Sequence, residues 1–335
     1  MRVLIVNQSE VPRLLPMGAC METMAGALAA VSRGDAILPL RQVLMLPDKV
    51  GAFGVMPAFL ATPAAVGVKS ITVFPGNHGT ELDSHQGAVL LFETQRGRLL
   101  AVMDASSITA IRTAAVSGVA TRLLARAGAG DLALLGTGVQ AMTHLEAMSL
   151  ARPLRRVRAW SRGAEHVHAF QVRARRRLGI EVEAASSARE AVEGADIVCT
   201  VTSSREPVLK GEWLSPGAHV NAAGASLAAA RELDTAAIVR ARLFVDRRES
   251  TLNESGDFLI PRREGAIDDG HIRGELGELV LGRVPGRQTE SEVTVFKSLG
   301  LAVEDVAAAR LIYDNALATG AGTSVELGGA RDAGA

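Results

Sequence analysis

The stretch LALLGTGVQA, residues 132–141, leaves fewer folds open than any other part of this chain. An apolar run leads into Gly136 and Gly138, and Ala141 takes the third small position of a G-x-G-x-x-G/A pattern. In such a loop the first glycine permits a tight turn out of a strand. The second lets the backbone approach a pyrophosphate, and the third small residue lets helix and strand pack closely. The phosphates then meet N–H groups at the positive end of a helix dipole. Alone the pattern is weak, because a plain tight turn also satisfies it. Its context gives it weight: after Gly130 the chain alternates strands (DLALLG, RRVRAW, VEAA, DIVCTV, HVNAAG, RLFVD) with helices over VQAMTHLEAMSLA, AEHVHAFQVRARRRLG and AREAVEGA. That alternation predicts a parallel sheet with helices on both faces.

Residues before Gly130 follow another rhythm. RVLIV (2–6) reads as a strand and 19–35 as a helix stopped by Gly34. From 37 to 104 short β-type runs dominate, with GAVLLFET and RLLAVM pairing as a hairpin across QRG. A long helix over 104–130 follows, with Ser106 or Ser107 as its cap, and a last helix covers 298–322 before a frayed tail, GGARDAGA. The fold class is therefore α/β: a Rossmann-type doubly wound parallel sheet plus an α+β domain.

About twenty residues beyond the glycine loop, an NAD-binding unit places an acid that holds the ribose 2′-hydroxyl. Here the chain reads Trp160-Ser161-Arg162. Ser161 can donate a hydrogen bond and Arg162 can pair with a 2′-phosphate, so the loop is expected to hold NADPH/NADP in preference to NAD. Lysine plus arginine and aspartate plus glutamate both total 36, and aromatic residues make up 3%. No basic field or base-stacking platform exists for nucleic acid. No apolar run reaches the roughly 20 residues of a membrane span. The short apolar start is no signal segment, so the expected location is cytoplasmic. Cys20 and Cys199 have no metal-ligand spacing and read as buried thiols; no metal is expected.

Three cations sit in apolar settings. Lys69 in VGVKSITV shares a strand face with Gly67, Ile71 and Val73; either desolvation lowers its pKa and suits it to proton transfer, or it snorkels outward near the strand end. Arg112 lies in SITAIRTAAVSG and needs an anion, either a ligand's or a structural acid. Arg41 lies in ILPLRQVLML. Together they suit a small carboxylate.

These segments taken together resemble the ornithine cyclodeaminase/mu-crystallin family over almost the whole chain: GVKSITVFPGN, SHQGAVLLFE, AVMDASSITAIRTAAVSGVATR, LLGTGVQA, HVNAAGAS, ESGD and TVFKSLGLAVEDVAAARLIYDNA. The resemblance implies a substrate-binding and dimerisation domain (1–115 with 305–335), an inserted Rossmann domain (116–304) and a homodimer. It implies that Lys69, Arg41, Arg112 and Ser226 carry the chemistry. It implies that Gly136, Thr137, Gly138, Val139 and Gln140 form the phosphate loop, with Ser161 and Arg162 at the ribose phosphate. Ser84, His85, Arg112, Thr113, Thr200, Val201, Thr202, Ala223, Lys297 and Ser298 complete the cofactor contacts. Cyclodeaminases of the family end NAxGxD in Asp, where this chain has Ser226, as its mu-crystallin-like ketimine reductases do. The expected activity is NADPH-dependent reduction of a cyclic ketimine carboxylate, 1-pyrroline-2-carboxylate or 1-piperideine-2-carboxylate. Two alternatives stay open: ornithine or lysine cyclodeamination or alanine dehydrogenation, and a non-catalytic NADP(H)- and small-ligand-binding protein.

Overall fold

A computed structural model describes residues 2–77 and 79–329. The tail expected to fray lies outside the described residues from position 330 onward. The chain divides into two compact units, Met1–Arg112 with Leu301–Ala335, and Thr113–Gly300. The expected breaks, after 115 and before 305, are thus displaced. The later one falls at Gly300, and the whole helix Ala302–Thr319 lies in the first unit.

In the first unit, β1 (Arg2–Val6) is followed by the helix Met17–Arg33, which Gly34 ends in the left-handed region, as its position predicts. Then come β2 (Ala36–Ile37), β3 (Gln42–Met45), β4 (Ala52–Leu60), β5 (Ala65–Val73), β6 (His85–Phe92) and β7 (Leu99–Asp104). β4 to β7 form an antiparallel meander, including the predicted β6–β7 hairpin; β2 and β3 add to β4, and β1 lies parallel to β7. Burial alternates along β5, with Ala65, Gly67, Lys69 and Ile71 inward.

The helix Ala105–Leu124 begins the passage to the second unit. Its cap is Asp104, not Ser106 or Ser107: Asp104 Oδ1 accepts from Ser107 N–H at 2.7 Å. A capping side chain must precede the N–H it satisfies by about three residues, and the aspartate has that spacing. Ser106 instead donates to the His85 carbonyl. The helix stops at Leu124, short of 130, because the Arg152 guanidinium takes up the carbonyls of Arg122, Ala125 and Arg126.

The second unit holds β8 (Asp131–Leu135), β9 (Arg156–Trp160), β10 (Glu183–Ala184), β11 (Ile197–Thr200), β12 (His219–Ala222), β13 (Arg242–Val245), β14 (Ile272–Glu275) and β15 (Thr294–Lys297). They form one parallel sheet ordered β10-β9-β8-β11-β12-β15-β13-β14. The order reverses between β8 and β11, which makes the sheet doubly wound. Helices Val139–Ala151 and Ala164–Leu178 follow β8 and β9 as the sequence predicts. The strand β14 and the short helices Arg248–Glu254 and Gly256–Arg263 carried no periodic signal. Leu132, Leu134, Val198, Val220, Phe244 and Val295 form fully buried strand interiors. Back in the first unit, the helix Ala302–Thr319 packs on the helix Met17–Arg33 and on β4, β5 and β6. β16 (Thr323–Glu326), unread in the sequence, pairs antiparallel with β1.

Candidate active site

In the first unit the alternation of β5 carries an ammonium into the interior. Lys69 is 2% exposed, and its Nζ lies 2.8 Å from Asp305 Oδ2. Arg112, on the helix Ala105–Leu124, donates from Nε to Asp305 Oδ1 at 2.9 Å and from Nη1 to Glu304 Oε2 at 2.8 Å. One carboxylate therefore joins two cations from different elements, and a second carboxylate balances the charge. All four side chains are buried. Of the two partners open to Arg112 at the sequence level, acids of the protein itself fill the role, on the last helix.

Burial pulls Lys69 down from its ordinary 10.5 to about 8, with the nearby charge of Arg112 and, to a lesser degree, Arg41 adding to the fall. Asp305 opposes the shift without cancelling it. On Asp305 burial acts upward, but the cations Arg112 and Lys69 outweigh it and hold the carboxyl below its usual range. An ammonium with a pKa near 8 is charged at neutral pH and gives up its proton readily. Arg41 is half-buried, close enough for its charge to act on Lys69. Ser84 and His85 lie at the start of β6, Ser84 Oγ being 3.2 Å from His85 Nδ1.

In the second unit the glycine loop leaves β8 as expected. Gly136 has φ +111°, and a Cβ there would stand 2.7 Å from the Val201 carbonyl oxygen. Only glycine fits where two loops converge beyond the reversal point. Gly138 starts the helix Val139–Ala151 with open space around it, no side-chain cap and no acid in the first turn. Those N–H groups and the helix dipole suit a dianionic pyrophosphate. Thr137 is buried, and its carbonyl accepts from Arg173 Nη2 at 2.9 Å. Arg173 makes this bond while exposed on the helix Ala164–Leu178. Ser161 is half-buried and Arg162 exposed where β9 ends. The loop's chemistry fits the pyrophosphate of a dinucleotide.

Other expected contacts are placed differently. Thr200 and Thr202 give their hydroxyls to Glu232, which the sequence reading missed. Lys297 is buried at the end of β15, its ammonium 2.9 Å from Asp257 Oδ2 and 2.5 Å from the Ala225 carbonyl oxygen. Both contacts hold its ammonium in the interior of the second unit. Val201, Thr113 and Ser298 are buried; Ala223 is half-buried and Ser226 exposed in the loop after β12. Glu304, Asp305 and Asp257 were within reach of the reasoning that marked Lys69, since VEDVAAAR and ESGD also set acids among small and apolar residues. Glu232 in RELD had no such signal.

A phosphate-binding loop on a doubly wound sheet and a buried, acid-poised lysine define the class of NAD(P)-dependent oxidoreductases. A profile of the ornithine cyclodeaminase/mu-crystallin family matches residues 1–320, and the chain belongs to that family. It is 44% identical to the ketimine reductase mu-crystallin of Mus musculus over 295 residues, covering 87% of this chain and 90% of that one. It is 36% identical to the Delta(1)-pyrroline-2-carboxylate reductase of Bacillus cereus, covering 97% and 100%. The structure of Thermococcus litoralis Delta(1)-pyrroline-2-carboxylate reductase in complex with NADH and L-proline superposes with a TM-score of 0.94 at 39% identity, covering 96% and 100%.

Removing one member of the buried cluster should cost far more than a surface pair would. Asp305→Asn leaves Lys69 and Arg112 facing an amide that cannot answer both, and we expect it to lower unfolding stability by about 3–5 kcal/mol. Urea unfolding at pH 7 checks this; a loss below about 1 kcal/mol would mean that the cluster is solvated.

Proposed function

We propose that the protein reduces cyclic ketimine carboxylates, the class of 1-pyrroline-2-carboxylate and 1-piperideine-2-carboxylate, with NADPH. The observation that carries this reading is the buried Lys69, paired with the Asp305 carboxylate that also binds Arg112, and poised near pH 8. The bound dinucleotide supplies the hydride. The imine carbon gains that hydride, the C=N π bond becomes the nitrogen lone pair, and the nitrogen takes a proton. Lys69 is suited to provide that proton, because its ammonium is destabilised by burial and by neighbouring cations. The acids Glu304 and Asp305 offset the charges of Lys69 and Arg112, and Arg41 lies close enough for its charge to act on Lys69.

Ser226 supports reduction over cyclodeamination. A hydroxyl stays neutral at pH 7 and cannot serve as the base that amine oxidation requires. Ser161 and Arg162 support NADPH, with no acid at either position to repel a 2′-phosphate. For assembly we propose a homodimer. Val43, Leu44 and Met45 on β3, with Ile37 and Val50 nearby, leave an exposed apolar edge of the kind a partner covers.

The test of the activity is a cofactor-oxidation assay with cyclic imino acids, run beside ammonia release from ornithine. NADPH oxidation with the imino acids and none of the second reaction is expected; robust conversion of ornithine to proline and ammonia would overturn the assignment. The lysine makes a pH prediction. As pH rises through about 8, Lys69 loses its proton, so kcat/KM for reduction should fall about ten-fold per pH unit above that point. Lys69→Met should abolish this limb and lower kcat by roughly 10²–10⁴-fold. A profile unchanged by the substitution would assign the proton to another group. For the cofactor, Arg162→Asp should weaken NADPH roughly ten- to hundred-fold while leaving NADH nearly unchanged. Titration of nucleotide fluorescence measures both, and equal losses would remove the phosphate contact.

A further inference from the structure

The carboxyl ends of the second unit's strands carry a buried polar network that none of the expected contacts explains. Glu232, in the segment between β12 and β13, is fully buried. Its carboxylate accepts from Thr200 Oγ1 at 2.8 Å, from Thr202 N–H and Thr202 Oγ1 at 2.7 Å each, and from Gly224 N–H at 2.8 Å. Four donors on two oxygens match the capacity of an ionised carboxylate, and no amide can accept them all. Burial, with the charge of Asp257 adding to it, pushes Glu232 above its usual range, and the charge of Lys297 and the Thr202 donors offset only part of that rise.

The residue is itself fixed from behind. The N–H groups of Glu232 and Leu233 both donate to Asp257 Oδ1 at 2.9 Å, and Asp257 Oδ2 is paired with Lys297 at the end of β15. The joined loops are already in contact: a Cβ on Gly224 would stand 2.3 Å from the Thr202 carbonyl oxygen and 2.4 Å from Glu232 Oε1. The loop after β11, the loop after β12 and the end of β15 are thus tied to two carboxylates.

The sheet order shows which part of a dinucleotide these loops would serve. A doubly wound sheet consists of two mononucleotide-binding halves that meet at the reversal point. β8, β9 and β10 carry the glycine loop and Ser161-Arg162, which take the pyrophosphate and the adenosine side. β11 and β12 open the other half.

We propose that Glu232 is a positioning residue for the nicotinamide side of the cofactor, holding residues 200–202 and 224 in the one arrangement that half requires. The hydroxyls of Thr200 and Thr202 then shape the loops from within and leave contact with the ligand to the backbone and to Ala223. This inference rests on the dinucleotide reading above.

The experiment compares NADPH with 2′,5′-ADP, a fragment with the adenosine phosphates and no nicotinamide, by calorimetry on the full chain. Glu232→Gln turns an amide N–H toward donors it cannot accept from. It should raise the Kd for NADPH about ten-fold or more and leave that for 2′,5′-ADP within about two-fold. Should Glu232→Gln not fold, Thr202→Val removes one donor at constant shape and should weaken NADPH about three-fold or more with the same selectivity. Equal weakening of both ligands, or of neither, overturns the positioning role. Failure of the unmodified protein to bind either ligand would overturn the dinucleotide reading itself, and the two failures are distinct.

Discussion

The first unit depends on one carboxylate. Asp305 binds Lys69 through one oxygen and Arg112 through the other, with no water-exposed member in the group. Isolated ammonium or guanidinium ions would be too costly in such a place, and each is tolerable because the last helix brings the acids. The same arrangement sets the chemistry. Burial, aided by the charges of Arg112 and Arg41, outweighs what Asp305 restores, so the ammonium falls from its usual strongly basic value to about 8. Stability and reactivity here have a common electrostatic cause.

A related arrangement recurs in the second unit with other parts. Lys297, Asp257 and Glu232 also form a buried charged group, and here the acids tie down backbone N–H groups. Its neighbours are loops at the carboxyl ends of parallel strands, the place where this topology receives ligands. Polar groups fully satisfied in a low-dielectric interior rigidify what they touch. Rigidity suits a crevice that must present the same shape to each cofactor molecule.

Membership in the ornithine cyclodeaminase/mu-crystallin family joins these observations. Family alone leaves reaction type open, and the residues narrow it. The proposed reading rests on a neutral serine at position 226 and on serine and arginine at 161 and 162, with no acid at any of the three. One fold can serve several chemistries through such local differences in its site.

The sequence by itself determined whatever depends on local periodicity or on a single residue's geometry. The glycine loop, the helix Val139–Ala151 after it, the stop at Gly34 and the inward face of Lys69 are of this kind. Each follows from backbone permissiveness or from the two-residue repeat of a strand. Only the tertiary structure decided which charges meet. Arg112 and Asp305 are 193 positions apart, and Lys297 and Ala225 are 72 apart. No spacing rule links such pairs. The cap of the long helix shows the same divide at short range: serines at 106 and 107 looked suitable, yet Asp104 had the reach and Ser106 was already bonded to the His85 carbonyl on the neighbouring strand β6. A hydrogen bond goes to whichever partner folding brings within about 3 Å, and that is a property of packing and not of sequence position.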